Sequence, residues 1–301
     1  MSHQVNRIKT ISEIHRLLNI GKPLHPLISI CRHIPEMNLK IQNVNVCFDF
    51  YIISFKSDIH GSINYGRNTY DFEEGSILFS SPGQVFSITS DPVIDINGWS
   101  LFIHPKLFTR SDLHQSIQQY NFFSYDINEA LHTSEKEKLI LEKFVSNIEN
   151  EISQNLDRHS HDLIIHNFES ILKYSQRFYD RQFLTRSNTN KDFVSLFEQY
   201  LIRYFNSDEI ATKGIPSITQ CGNALNMSGH YLSDLLKIET GKTAKEHIHL
   251  KLIQKAKHQL LSSDISVKSL AYELGFEYPQ YFSRFFKNKT GMTPTEYRNL
   301  N

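Results

Sequence analysis

The amino-acid sequence predicts an α+β multidomain protein: an N-terminal β-sandwich or barrel, a helical hairpin, and a C-terminal all-α domain with two helix-turn-helix units. Three observations predict it. Residues 24–110 hold short β-branched and aromatic runs broken by Gly, Pro, Asn and Asp. Near residue 131 the apolar spacing switches to that of helices. An eighteen-residue phrase, Tyr231–Ile248, returns fifty residues later as Tyr281–Arg298. The length of 301 residues suits about two domains.

The first 23 residues read as an arm with a short amphipathic helix, because Ile8, Ile11, Ile14 and Leu18 fall at helical spacing. Their scattered charge is not that of a signal peptide, and no apolar run approaches the ~18 residues of a membrane span. Cys31, Cys47 and Cys221 are far apart and odd in number. Buried free thiols in a reducing cytoplasm are the expectation.

Residues 24–130 form the expected β domain. "NVCFDFYIISF" has strand composition, and "GSILFSSPGQVFSI" alternates around a Pro82-Gly83 turn. "VIDINGWSLFI" alternates again before His104-Pro105. Residues 131–183 read as a helical hairpin. Thr133 or Ser134 is the first N-cap, and Leu141, Val145, Ile148 and Ile152 make the first stripe. Ile164, Phe168, Ile171 and Phe178 make the second. These stripes can cover the β domain or pair with a second copy. Residues 184–190, "LTRSNTN", are polar without periodicity and read as a linker. Seven helices are expected over 191–301.

The repeat identifies two helix-turn-helix units. In "SVKSLAYELGF" Val267, Leu270, Ala271 and Leu274 face inward, and Gly275 supplies the turn. The first unit has Gly222 at the Ala place and Asn226 at the turn. Gly222 is expected to cost its helix about 1 kcal/mol relative to Ala. Gly241 and Gly291 end helices, while Thr243 with Glu246 and Thr293 with Glu296 form capping boxes. Function must therefore rest on the positions between.

Those positions are His230, Ser233, Asp234 and Lys237 in the first unit, and Gln280, Ser283, Arg284 and Lys287 in the second. A recognition helix offers its N-terminal half to base edges in the major groove. Gln suits adenine, Arg suits guanine, and an acid such as Asp234 can accept from cytosine. A Lys one turn later suits phosphate. Between the units, Ile248, Leu252, Ala256 and Leu260 stripe a long helix over 243–261. At 1.5 Å per residue it spans roughly 28 Å, near the ~34 Å of one DNA turn. Residues 216–301 carry 11 Lys/Arg and 7 Asp/Glu, hence +4, against −4 for the rest. That balance permits nucleic acid as a partner.

On these residues the stretch 191–301 resembles the AraC/XylS family of bacterial transcription regulators. "YDFEEGSILFSSPGQVFSI" resembles that family's cupin-type sensor, a jelly roll. The resemblance implies a cytoplasmic, sequence-specific regulator, with activators among the family, bound to double-stranded DNA. It also implies RNA polymerase as a partner, a small-molecule effector at the N-terminal domain, and homodimerisation through the helical hairpin.

No cofactor or metal is expected. His159 and His161 cannot share a helix face, and around His60 and Glu73/Glu74 there is no H-x-H of a catalytic cupin. Arg67, Tyr70, Trp99 and His104 are effector candidates as large polar-tipped groups in or beside the barrel. Two rivals stand beside the effector-controlled regulator: a constitutive DNA-binding protein whose β domain only dimerises, and a metal-dependent cupin enzyme with a DNA-binding tail.

Overall fold

The computed structural model describes residues 5–33, 44–59, 62–65, 68–71, 75–88, 96–126, 129–155, 157–185 and 187–299. It divides into two compact units, Met1–Gln182 and Phe183–Asn301.

Strand alternation builds the first unit. Strands β1 (Val5–Ile8), β3 (Val44–Phe48) and β8 (Val85–Ile88) form one sheet in the order β1-β3-β8. A five-stranded sheet runs β10-β7-β4-β9-β2, from β10 (Leu131–His132), β7 (Ser76–Ser80), β4 (Tyr51–Ile59), β9 (Ile96–Ile103) and β2 (Ile28–His33). Strands β5 (Ser62–Tyr65) and β6 (Asn68–Asp71) pair separately. In β4, Ile53 and Phe55 point to one side, and Ser54 and Lys56 to the other. Ile53 lies opposite Leu101 and Phe79, Phe55 opposite Trp99 and Ile77.

The inner face packs on the three-stranded sheet and on helix α1 (Ile11–Leu17). Ile11, Ile14, Cys31, Val46, Phe48, Phe50 and Phe102 form one buried cluster there. Buried His15 clamps α1 to β2, with Nε2 2.7 Å from Ser29 Oγ and Nδ1 2.5 Å from the Gly21 carbonyl.

The outer face is covered by short helical turns over 105–124, including α2 (Leu113–Ser116), and by α3 (Glu135–Ser153) and α4 (Ser160–Thr185). Pro105–Phe108, expected as β, form a helical turn because His104 N-caps it through the Lys106 N–H and Pro105 opens it. Ser134 and Glu137 close a capping box at α3. Helices α3 and α4 run antiparallel: Asn147 Nδ2 donates to Asn167 Oδ1 at 3.0 Å, and Arg181 pairs with Glu137 at 2.8 Å. Both predicted stripes are buried within this chain. Arg32 on β2 bonds Glu142 and Glu149 of α3, and Tyr179 stacks on Phe122 at 5.6 Å.

The second unit is helical: α5 (Ser187–Asn206), α6 (Glu209–Lys213), α7 (Ile218–Ala224), α8 (Gly229–Thr240), α9 (Ala244–Ser262), α10 (Val267–Glu273), α11 (Pro279–Thr290) and α12 (Pro294–Arg298). The expected linker 184–190 is helical on both sides of Arg186, which lies outside the described residues. Its polarity has a local cause: buried Asn190 donates to the Phe183 carbonyl at 2.6 Å and to Glu239 at 3.2 Å. Helix α6 has too few residues to register as a period, so the sequence missed it. Leu196 is exposed on α5, while Phe197, Leu201, Tyr204 and Phe205 are buried.

The two units of the repeat cross differently. Asn226 has φ 57° and Gly275 φ 80°, so both turns are left-handed as expected. A Cβ on Gly222, however, would stand 2.6 Å from the Gly229 N and the Met227 carbonyl oxygen. One on Gly229 would stand 2.6 Å from the Ile218 carbonyl oxygen. Gly222 is therefore a close-packing residue, and its propensity cost is the smaller effect. We expect Gly222→Ala to destabilise the second unit by about 1–3 kcal/mol through overpacking, read as a lower thermal midpoint. A rise in the midpoint, as propensity alone dictates, would contradict the close approach.

Candidate nucleic-acid interface

Capping fixes where each candidate recognition helix, α8 and α11, starts and stops. Ser228 caps α8 through the Tyr231 N–H at 3.1 Å. Helix α11 begins instead at Tyr278 with Pro279 in its first turn, and Tyr278 makes no side-chain cap. At the other ends, Gly241 (φ 74°) and Gly291 (φ 82°) take the left-handed conformation. The repeated Thr is also structural. Thr240 Oγ1 donates to the Leu236 carbonyl at 2.7 Å, and Thr290 Oγ1 to that of Phe286 at 2.8 Å. Capping boxes at Thr243–Glu246 and Thr293–Glu296 follow. Bonds from the cap N–H groups hold both carboxylates below the usual range, helped by Lys289 and Lys242 at Glu246 and by Lys287 at Glu296.

Helix α9 is tied to its neighbours by its charged residues as well as its stripe. Lys255 donates to the Phe205 carbonyl at the end of α5, and burial lowers its pKa. Arg298 donates to the Leu260 carbonyl at 3.3 Å and the Ile265 carbonyl at 2.6 Å. The end of α9 and the connection to α10 are thus held from α12. The sequence showed Arg298 only as the end of a phrase.

The candidate site residues occupy one face on each of α8 and α11. His230 and Lys237 are exposed on α8, with Ser233 and Asp234 partly covered. On α11, Gln280, Arg284 and Lys287 are exposed. Ser283 donates to the Pro279 carbonyl at 3.1 Å, which leaves its oxygen as an acceptor. Leu232, Leu235 and Leu236, like Phe282 and Phe286, are buried behind this face. Phe285 is partly covered, 5.0 Å from the His249 ring. The shared Tyr differs most. Tyr231 is 8% exposed against Phe183, whereas Tyr281 is 51% exposed, with Arg284 over its ring.

The effector candidates separate. Arg67 and the carboxylates Glu73 and Glu74 lie outside the described residues, as do His60 and the side chain of Tyr70. Trp99 is buried on the outer face, 6.0 Å from Phe55, and His104 caps a turn. Residues that sequence reasoning passed over meet on the inner face. His33 Nε2 is 2.7 Å from Ser100 Oγ, which is 2.6 Å from Ser54 Oγ. His33 Nδ1 is buried without a hydrogen-bond partner among the described residues. Lys56 is buried on the same face, and burial lowers its pKa to about 8. Burial and the Lys56 charge lower His33 to about 4. The one signal was Lys56 at an alternating strand position.

Among the described residues no cluster of three or more His, Cys, Asp or Glu could hold a metal ion, and no helix is long and apolar enough to cross a membrane.

The depressed His33 sets a pH dependence. Unfolded His33 takes a proton near pH 6.5, the folded group only at about 4, so the unfolded chain binds more protons between them and stability is lost as the pH is lowered through that window. Denaturant melts followed at Trp99 should lose more stability between pH 7 and pH 4.5 in the native chain than in His33→Gln. Equal losses would contradict this.

Comparisons with known proteins bear on the same region. Residues 221–300 match a family described as "Helix-turn-helix domain". An HTH-type transcriptional regulator of Bacillus subtilis, YfiF, is 25% identical over 83% of this chain and 77% of its own. The xylose operon regulatory protein of Escherichia coli K12 is 34% identical over 30% of this chain, which spans only 23% of that relative's length. Among solved structures, the C-terminal domain of the response regulator yesN from Fusobacterium nucleatum is 25% identical, with 35% of this chain and 95% of that one covered, at a TM-score of 0.31. The helix-turn-helix match over 221–300 and the likeness to these regulators support a transcriptional regulator of the AraC type.

Proposed function

We propose that this regulator binds one DNA site with both recognition helices, and that a small molecule in the first unit controls it. The observation that carries the DNA reading is the exposed row Gln280, Arg284 and Lys287, backed by buried Phe282 and Phe286. In this reading Gln280 and Arg284 meet base edges, Ser283 accepts from a base or water, and Lys287 neutralises a phosphate. His230, Ser233, Asp234 and Lys237 do the same for the first half of the site, with Asp234 favouring a cytosine. Buried Lys56 and Ser100, with half-buried His33 and Ser54 beside them, support an effector site on the inner face, in place of Trp99 and His104.

The hairpin's apolar stripes are buried within this chain. Dimerisation, which the family resemblance suggests, would then use another part of the hairpin, and contact with RNA polymerase rests on that resemblance alone. A ligand regulates only by binding one arrangement better than another.

The test is selection of bound duplexes from a random pool with the full chain. A motif with two elements about one turn apart is the expected result; no enrichment would sink the reading. On the selected site, Arg284→Ala should cost about 1–3 kcal/mol and relax one base position. An equal loss on every sequence would make Arg284 a phosphate contact. Lys287→Ala should instead weaken all sequences alike and reduce the salt slope by about one unit.

A further inference from the structure

The two recognition helices differ in how they treat the Tyr they share. Residues 278, 281, 284 and 287 are three apart, so they form one row along α11. The row reads Tyr278, Tyr281, Arg284, Lys287, and all four are exposed. In α8 the same row reads Ser228, Tyr231, Asp234, Lys237, with Tyr231 turned into the core against Phe183 at 4.9 Å. An aromatic pair left about half exposed gains less from burial than Tyr231 does, so its place on α11 calls for a further cause.

The ring contacts supply one. The Arg284 guanidinium carbon stands over the Tyr281 ring, 5.6 Å from its centroid, within reach of a cation–π interaction. Tyr278 meets the same ring edge-on, 5.6 Å between centroids and 86° between planes. Tyr281 is 51% and Tyr278 46% exposed. Helical side chains lean toward the N-terminus. The guanidinium is therefore laid along the N-terminal half of α11, the half a recognition helix offers to base edges. A long Arg pays side-chain entropy to be held in one pose. A ring already beneath it removes part of that cost before DNA arrives.

We propose that Tyr281 is a positioning residue for DNA recognition: its ring, buttressed by Tyr278, pre-orients the Arg284 guanidinium for a guanine edge, so that the second helix discriminates bases and the first does not share this device. This rests on the proposed base-reading role of Arg284. Tyr281 acts through Arg284 and is not itself a base contact. The arrangement predicts lost discrimination without lost electrostatics, because the charge stays on the helix when the ring is removed.

The experiment uses the full chain and the duplex that it selects from a random pool, with copies in which each guanine is replaced by adenine. Arg284→Ala identifies the guanine it reads. Tyr281→Leu should then lower the preference for that guanine roughly two- to tenfold, leaving the thermal midpoint and the salt slope unchanged. Tyr281→Phe, which keeps the ring, should retain the preference. Unchanged discrimination in Tyr281→Leu would overturn the proposal. So would an equal loss on all sequences, which makes Tyr281 a backbone contact, or an equal loss in Tyr281→Phe, which makes its hydroxyl the contact. If the native chain selects a motif but Arg284→Ala changes no base preference, the positioning role fails with the base-reading role while site-specific binding stands. If the native chain selects no motif, the DNA-reading function itself fails.

Discussion

Helix α9 is the constraint on which the second unit depends. Nineteen residues in one helix set a separation of roughly 28 Å between the elements at its ends. The Thr243–Glu246 box fixes its start, and Arg298 holds its last turn and the following connection through the Leu260 and Ile265 carbonyls. Lys255 ties its middle to the end of α5. The buried Ile248, Leu252, Ala256 and Leu260 keep one face against the core. A rod held in this way makes the spacing of α8 and α11 a property of the single chain. Most helix-turn-helix proteins reach one-turn spacing by dimerisation.

On that frame the two units are the same in their ends and different in their crossings. Both close with Thr, a left-handed Gly and a capping box. The first unit brings backbones together at Gly222 and Gly229 and buries its Tyr; the second has Ala271 and Pro279 at those places and leaves its Tyr outside. Closer crossing costs side-chain contacts but fixes the helix pair by backbone approach. The altered positions of the repeat are thus altered in packing as well as in polarity.

Much of the second unit was legible in the sequence because its signals are local. The caps, the left-handed turns at Asn226 and Gly275, and the stripes of α9 and α10 follow from residues within a few places of one another. Gly222 was misread as a propensity cost, since the atoms that exclude a Cβ belong to Met227 and Gly229 across the turn. Helix α6 was missed because five residues are too few to show a period, and the adjoining ends of α4 and α5 because polar residues such as Asn190 leave no apolar period. In the first unit the alternation gave the strands, but not which face each candidate occupies. Trp99 and Ser100 are neighbours in sequence and lie on opposite sides of the sheet, so the choice of effector residues turned on a register that only the paired strands reveal.

The central claim is that one chain spans two elements of one site at a spacing fixed by α9. Binding to the selected duplex and to the same duplex with five base pairs inserted between its elements tests this most directly. Half a turn puts the second element on the opposite side of the DNA, so the rigid-rod account predicts affinity falling to that of unrelated sequence. Undiminished affinity for the lengthened duplex would contradict it.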